Sequence, residues 1–171
     1  MTSNQTTESE KFKTTVHNED YLYSVSRNTF VQEPSINIFK RHFDKKANKE
    51  ASFYLILGTD SGLLLNHVIQ QEPLTDTRYL FIEPPHIINK IREKYPENTW
   101  PENIRLTTPE QWQQAANEFD IKLYVYKNNF KYLYSIGAID AFDAAYSTAN
   151  VDIEKQLQNF LFFTRTALTI S

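Results

Sequence analysis

Short apolar segments alternate with amphipathic ones between residues 53 and 126. A continuous apolar run is typical of a strand that is covered on both faces, as in a parallel sheet. We predict strands at 53–57, 78–83, 104–107 and 121–126. The intervening segments carry apolar residues at helical spacing, as Leu64, Leu65, Val68 and Ile69 do. This βαβαβαβ order predicts an α/β, Rossmann-like three-layer domain with right-handed crossovers and a mostly parallel sheet.

Prolines and capping residues place the ends of the predicted helices. Pro73 and Pro96 stop the first two helices, because proline cannot continue a helix. Thr59 or Asp60 is expected to N-cap the first helix. The segment 108–111, Thr-Pro-Glu-Gln, has the residue types of a capping box and predicts the start of the third helix.

Both ends of the chain differ from this regular middle. Residues 1–18 are polar and are predicted to be a flexible leader, which leaves 19–171 as one domain. The β-like runs 21–25 and 36–39 suggest a short N-terminal β-hairpin. Residues 40–50 are charged and are expected to form a solvated helix or loop, with a phosphate-binding basic cluster as the alternative.

The pattern is less regular after residue 126. The segment 130–136 fits either a further strand, paired as a hairpin, or a helix start, and we favour an irregular stretch with a helix near 138–146. A last amphipathic helix is clearer, with Asn150 as its expected cap and one apolar face made of Ile153, Leu157, Phe160, Leu161, Thr164 and Leu168. No glycine or proline stops this helix, so we expect the chain to be the N-terminal part of a longer protein.

Composition narrows the class of protein. The net charge is −3 with both signs interspersed, so we predict neither a nucleic-acid partner nor a membrane surface. The absence of cysteine excludes disulfides, thiolate metal sites and a cysteine nucleophile. No apolar stretch reaches the length of about 18 residues that a spanning helix needs, and no signal peptide is evident. We therefore expect a cytoplasmic protein.

Two of the three glycines lie in one short turn, and this turn carries the candidate chemistry. Gly58 and Gly62 separate the first predicted strand from its helix, as in nucleotide-binding βαβ units. Glu83 ends the second strand, 25 residues after Gly58, near the place of an acid that binds ribose hydroxyls. The candidate cofactor-binding residues are therefore Gly58, Asp60, Gly62 and Glu83.

Asp60 limits what this turn would bind. Its carboxylate would repel a pyrophosphate at the helix N-terminus, so a dinucleotide is disfavoured. A nucleoside with a positive centre, such as S-adenosylmethionine, tolerates an acid better. The alternative is structural: the glycines serve a tight turn, Asp60 caps the helix and Glu83 ends a strand. We predict no required cofactor and no catalytic residue. We also predict no metal site, because the four histidines do not have the sequence spacing of metal ligands.

Four segments together resemble a known family. The segments FYLILGTDSGLLLNHVI, RYLFIEPPHIINKI, ENIRLTT and VDIEKQLQNFLFFTRTALTI are similar to the N-terminal domain of bacterial motility accessory factor (Maf) proteins. Those proteins are flagellin glycosyltransferases that attach nonulosonic acids to Ser or Thr of flagellin. The resemblance covers roughly residues 20–171. It departs from the family at the turn, where Asp60 replaces the middle glycine of a G-x-G-x-G-Y-like run and Leu63 replaces a common aromatic residue.

The resemblance implies an auxiliary Rossmann-like module, because nothing here corresponds to the central domain thought to hold the nucleotide-sugar chemistry. Flagellin and a downstream catalytic domain are then the expected partners, and a nucleotide sugar is a candidate ligand. Two other hypotheses remain. One is a small S-adenosylmethionine-dependent methyltransferase that uses Gly58, Gly62 and Glu83. The other is an interaction domain that forms a homo-oligomer through the helix at 151–170.

Overall fold

The computed structural model describes the backbone of residues 10–170 and the side chains of residues 10–162. It has a four-stranded, all-parallel sheet flanked by helices, preceded by a two-stranded antiparallel hairpin. This arrangement is the predicted Rossmann-like three-layer α/β fold. Residues 1–9 of the predicted leader lie outside the described residues, and within 10–18 two residues form a strand.

The elements follow one another without long gaps. The hairpin consists of β1 (Lys13–Thr14) and β2 (Asp20–Tyr21), and the helices α1 (Tyr23–Ser26) and α2 (Ser35–His42) come after it. The sheet strands are β3 (Phe53–Leu57), β4 (Arg78–Ile82), β5 (Ile104–Thr107) and β6 (Phe130–Tyr134). The remaining helices are α3 (Leu63–Gln70), α4 (Pro85–Lys94), a 3₁₀ turn (Glu97–Thr99), α5 (Trp112–Glu118), α6 (Ile121–Tyr126), α7 (Ile136–Asp140) and α8 (Ala144–Ile170).

The strand order of the sheet reverses beside its edge strand β6. The order is β5-β4-β3-β6, so the chain moves outward from β3 on one side and then returns to pair β6 on the other side. Leu57 therefore lies opposite Ile82 on one neighbour and opposite Tyr134 on the other. In open α/β sheets, ligands bind outside the carboxyl ends of the strands at the point where the order reverses. Here that point lies between β3 and β6.

The central strand is the most buried part of the core. All five residues of β3 are 0% exposed, which explains why its sequence is apolar without alternation. Helices on the outside of the sheet bury only one face. In α5, Trp112 is fully buried and its Nε1 donates a hydrogen bond to Gln156 Oε1 of α8 at 2.7 Å. This bond links α5 to the long last helix.

The predicted fourth strand at 121–126 is wrong. The segment forms α6, and its buried residues Ile121, Tyr124 and Val125 are spaced as on one helical face. Its β-branched and aromatic composition favoured a strand, but tertiary packing against α8 and β6 overrides that preference. The fourth sheet strand is instead β6, within the segment 130–136 left open above, and it pairs with β3 in parallel rather than as a hairpin.

Several predicted boundaries also differ from the structure. The N-terminal hairpin exists, but it pairs residues 13–14 with 20–21, and the runs 21–25 and 36–39 fall largely in α1 and α2. The last helix begins at Ala144, so Asn150 is not its cap. The capping box at 108–111 is not formed, since α5 begins at Trp112 without a side-chain cap. Of the predicted apolar face, the side chains of Thr164 and Leu168 lie outside the described residues.

The contact between α5 and α8 generates a stability prediction. Replacing Trp112 by Ala should lower the free energy of unfolding by about 4 kcal/mol, because a large buried side chain and its hydrogen bond are lost. Urea denaturation measures this change. The exposed neighbour Gln113, replaced by Ala, should change stability by less than about 0.5 kcal/mol. Equal effects of the two substitutions would contradict the packing described here.

Candidate functional site

The turn after β3 has an unusual backbone. Gly58, Asp60, Ser61 and Gly62 all have positive φ angles, of 88°, 51°, 61° and 88°. Only glycine adopts such angles without strain, yet two of these four residues carry side chains. Close packing explains the glycines, because a Cβ atom at Gly58 would overlap Ser135 Oγ and one at Gly62 would overlap the ring of Tyr95. The turn is therefore fixed by its neighbours on both sides.

Asp60 caps a helix, but a different helix from the predicted one. Its carboxylate accepts hydrogen bonds from the backbone amides of Ile136 at 3.2 Å and Gly137 at 2.8 Å, at the start of α7. The helix that follows Asp60 in the chain, α3, has Gly62 at its N-cap position and no side-chain cap. Asp60 is 1% exposed, and this burial raises its pKa to about 6 despite the hydrogen bonds.

Glu83 is the second buried acid of the site. Its Oε2 atom accepts hydrogen bonds from the amide of Thr59 at 3.0 Å and from Thr59 Oγ1 at 2.5 Å. Its Oε1 atom accepts one from the hydroxyl of Tyr146, on α8, at 2.5 Å. The side chain is 0% exposed, and burial raises its pKa to about 7. The pKa of Tyr146 is also raised well above its ordinary value, by burial and by the nearby carboxylate.

Ser61 connects the turn to the N-terminal part of the chain. Its hydroxyl oxygen accepts a hydrogen bond from the amide of Leu22 at 2.9 Å and lies 2.8 Å from the hydroxyl of Ser26. Both partners lie at α1, so this short helix sits against the turn. Such a contact covers the place where a nucleotide-binding βαβ unit leaves its turn open to a phosphate.

The structure thus brings the four predicted residues together. Gly58, Asp60 and Gly62 form the turn, and Glu83 reaches it through Thr59, as the nucleoside hypothesis expected of an acid at this strand end. Both carboxylates already bind donors of the protein itself, so a ribose would have to displace Thr59 or Tyr146 from Glu83. Binding of a nucleoside at these residues stays a prediction.

Sequence reasoning missed three donors to these acids from distant parts of the chain: the hydroxyl of Tyr146 and the amides of Ile136 and Gly137. Tyr146 lies 63 residues from Glu83 in the chain, and no local pattern indicates such a contact. Gly137 carried a weak signal as the third glycine of the chain. A Cβ atom there would stand 2.8 Å from the carbonyl oxygen of Val25 and 3.3 Å from Asp60 Oδ1, so the missing side chain lets the backbone of α1 approach first and Asp60 second.

Other candidate side chains lie apart from this turn. His86 Nε2 is 2.7 Å from Asp143 Oδ2 at an exposed position, and His67 Nε2 is 2.9 Å from Asp44 Oδ1. Within the part of the chain that the structure describes, no three metal-ligating side chains are grouped to hold an ion. No helix in that same part is long and apolar enough to span a bilayer.

Comparisons of the chain with protein-family models, with curated proteins and with solved structures found no match. The class that the structure itself defines is a Rossmann-like α/β protein whose central turn is closed by two buried acids.

The raised pKa values predict that stability decreases as the pH rises. Glu83 and Asp60 hold their protons more tightly in the folded chain, where their pKa values are about 7 and about 6, than in the unfolded chain, where they are 4.5 and 3.8. Their stabilising contribution to the free energy of unfolding is thus complete below about pH 4 and is lost as the pH rises through about 7. Replacing Glu83 by Gln removes one titrating group. The pH-dependent loss of stability should then be smaller by on the order of 3 kcal/mol.

Chemical denaturation between about pH 4.5 and about pH 7.5 measures this change. The matched control is Glu50→Gln, at an exposed position, which should keep the wild-type pH profile. If the Glu83→Gln protein lost stability as steeply as the wild type, the buried carboxyl would not be the source of the pH dependence.

A double-mutant cycle tests the close packing of the turn. Gly58→Ala should destabilise the protein because the residue has a φ of 88° and the new methyl group overlaps Ser135 Oγ. Ser135→Ala alone should cost about 1 kcal/mol, since Ser135 Oγ accepts the amide of Ala138 as the N-cap of α7. The double variant should lose less stability than the sum, by at least about 0.5 kcal/mol. Strict additivity in urea denaturation would argue against the contact.

Proposed function

We propose that this chain is a non-catalytic Rossmann-like module, of the kind that stands at the N-terminus of Maf-type flagellin glycosyltransferases in bacterial motility. The proposal rests on the resemblance of the four segments given above and on the geometry of the turn. In this function the domain contacts flagellin and packs against a downstream catalytic domain in the cytoplasm, and it carries out no chemistry itself.

One observation carries the non-catalytic part of the proposal. Each of the two acids that a nucleoside would need is already bonded within the protein: Asp60 to the amides that begin α7, and Glu83 to Thr59 and Tyr146. Buried carboxylates need such donors, because an unpaired buried charge is very costly. These groups therefore have a sufficient structural reason to be where they are, without a bound ligand.

The partner contacts are proposed for the outer helices. Leu123 and Tyr126 on α6 are 50% and 65% exposed, and Val151 on α8 is 53% exposed. α6 and α8 pack against each other, so these apolar side chains belong to neighbouring elements on the outside of the domain. Apolar side chains on such a surface suit a protein partner or a second copy of the chain.

A second candidate function is a small S-adenosylmethionine-dependent methyltransferase. It is favoured by one observation: Glu83, at the end of β4, contacts the amide of Thr59 inside the glycine turn. An acid in this position binds ribose hydroxyls in nucleoside-binding sheets. The candidate requires that the ligand replace the contact between Glu83 and Tyr146.

Isothermal titration calorimetry with S-adenosylmethionine separates the two candidates. We expect no saturable heat at about 1 mM ligand, a concentration at which a site of useful affinity would be filled. Saturable binding by the wild type that is lost in the Glu83→Gln variant would overturn the non-catalytic proposal in favour of the methyltransferase.

The partner proposal is tested by sedimentation velocity of the chain mixed with purified flagellin. A complex is expected, and Val151→Glu should weaken it, because the substitution places a charge on the outer face of α8. The matched control is Ser147→Glu, an exposed position one turn earlier in the same helix, which leaves Val151 in place. Absence of any complex with wild-type protein would remove flagellin as the partner.

A further inference from the structure

A cavity lies at the point where the strand order of the sheet reverses. It has a volume of about 440 Å³ and lies between the end of β6 with α7 on one side and α2 with the turn that follows it on the other. This is the place where open α/β sheets hold their ligands. The volume also falls in the range of about 300–1,000 Å³ that is usual for small-molecule sites.

Hydrophobic side chains form part of the lining of the cavity. Ile38 of α2 and Leu64 of α3 are 5% and 1% exposed, and they line it together with Ile136 at the start of α7. Tyr134 and Ile139 also line it and are more open to solvent, with exposed fractions of 36% and 61%. A ligand with an apolar or aromatic body would thus be buried against hydrophobic side chains, which is the usual source of affinity in such sites.

One wall of the cavity carries two cationic side chains and a histidine. It is formed by Arg41 and His42 at the end of α2 and by Lys46 in the turn after it. Arg41 is paired with the carboxylate of Glu33. Among the residues described, neither His42 nor Lys46 has a carboxylate within ion-pair distance. The Lys46 ammonium is therefore available to an anion, and His42, which also interacts with the Glu33 carboxylate, can donate a hydrogen bond beside it.

Three acids line the same cavity, and two of them are engaged by groups of the protein itself. Glu33 is engaged by Arg41, and Asp60 is engaged by the two amides at the start of α7. Asp140 is the remaining acid, and it belongs to α7, which is the opposite wall from α2. The positive charges of the cavity thus lie at the end of α2 and in the turn after it, with Glu33 beside Arg41, and Asp140 lies on the opposite wall.

We propose that this cavity is a binding site for a small organic anion, a carboxylate or a phosphate ester that carries an apolar or aromatic group. The anionic group binds Lys46 and His42, and the apolar body packs on Ile38, Leu64 and Ile136. The site shares Asp60 with the nucleoside site considered above, but Gly58, Gly62 and Glu83 do not line the cavity. The ligand would be bound by a domain that carries out no reaction itself. This inference does not depend on the resemblance to Maf proteins.

NMR titration of the ¹⁵N-labelled chain tests the proposal with three small probes of similar size. Phenyl phosphate and phenylacetate are expected to shift the backbone amides of residues 134–140, with dissociation constants on the order of 1 mM, as is usual for fragments. Benzylamine, with the same ring and a positive charge, should bind at least about tenfold more weakly. The anion with the lower dissociation constant indicates whether the site prefers a phosphate ester or a carboxylate.

Two lysine variants make the test specific. Lys46→Gln removes a charge that lines the cavity and should weaken binding of both anions by about three- to tenfold. Lys45→Gln removes the same charge from the exposed neighbouring position, which does not line the cavity, and should leave binding unchanged. The spectrum of each variant shows directly whether it is folded.

Three results would overturn the proposal: no shift of residues 134–140 by either anion at about 20 mM, benzylamine binding as tightly as the anions, or equal losses in the two lysine variants. None of them bears on the calorimetry with S-adenosylmethionine or on the complex with flagellin. Failure of this site and failure of the proposed function are therefore distinguishable.

Discussion

The buried carboxylate of Glu83 is the interaction on which the carboxyl edge of the sheet depends. It joins the end of β4 to the turn after β3 through Thr59 and to α8 through Tyr146. A carboxylate that is 0% exposed persists only where donors surround it, so its three hydrogen bonds fix the relative positions of three chain segments. Asp60 acts in the same way between the turn and α7, where two backbone amides bind its oxygens.

These bonds also explain the shape of the turn. Asp60 and Ser61 accept positive φ angles because their side chains gain buried hydrogen bonds, Asp60 to α7 and Ser61 to the amide of Leu22 beside α1. The local strain of such angles is of order 1 kcal/mol for each residue and is offset by these contacts. The turn is consequently closed by protein groups. Space for a ligand at the carboxyl edge lies instead in the neighbouring cavity between α2 and α7.

The sequence predicted three of the four sheet strands well and the last one, β6, poorly. Strands β3, β4 and β5 and helices α3 and α4 repeat simple patterns, which are an apolar run, a turn or proline signal and a helical face. The segment 121–126 carries strand-forming residues but has helical spacing in what it buries, and β6 is only half-buried at the sheet edge. In both segments the residue types indicate one structure and the pattern of buried positions another, and tertiary packing determines which structure forms. For residues 40–50 the sequence offered a phosphate-binding basic cluster only as the alternative, and it did not indicate that Lys46 would line a cavity.

By itself, the sequence determined the α/β class, the glycine turn and the approach of Glu83 to that turn. These features follow from local periodicity, from the rarity of glycine and from the rule that parallel strands end at one edge. Only the tertiary structure decided which groups bind the two acids and where space remains. Tyr146 meets Glu83 across 63 residues, and Gly137 meets Asp60 across 77. Such contacts depend on how the helices pack over the sheet, and that packing cannot be predicted from local sequence patterns.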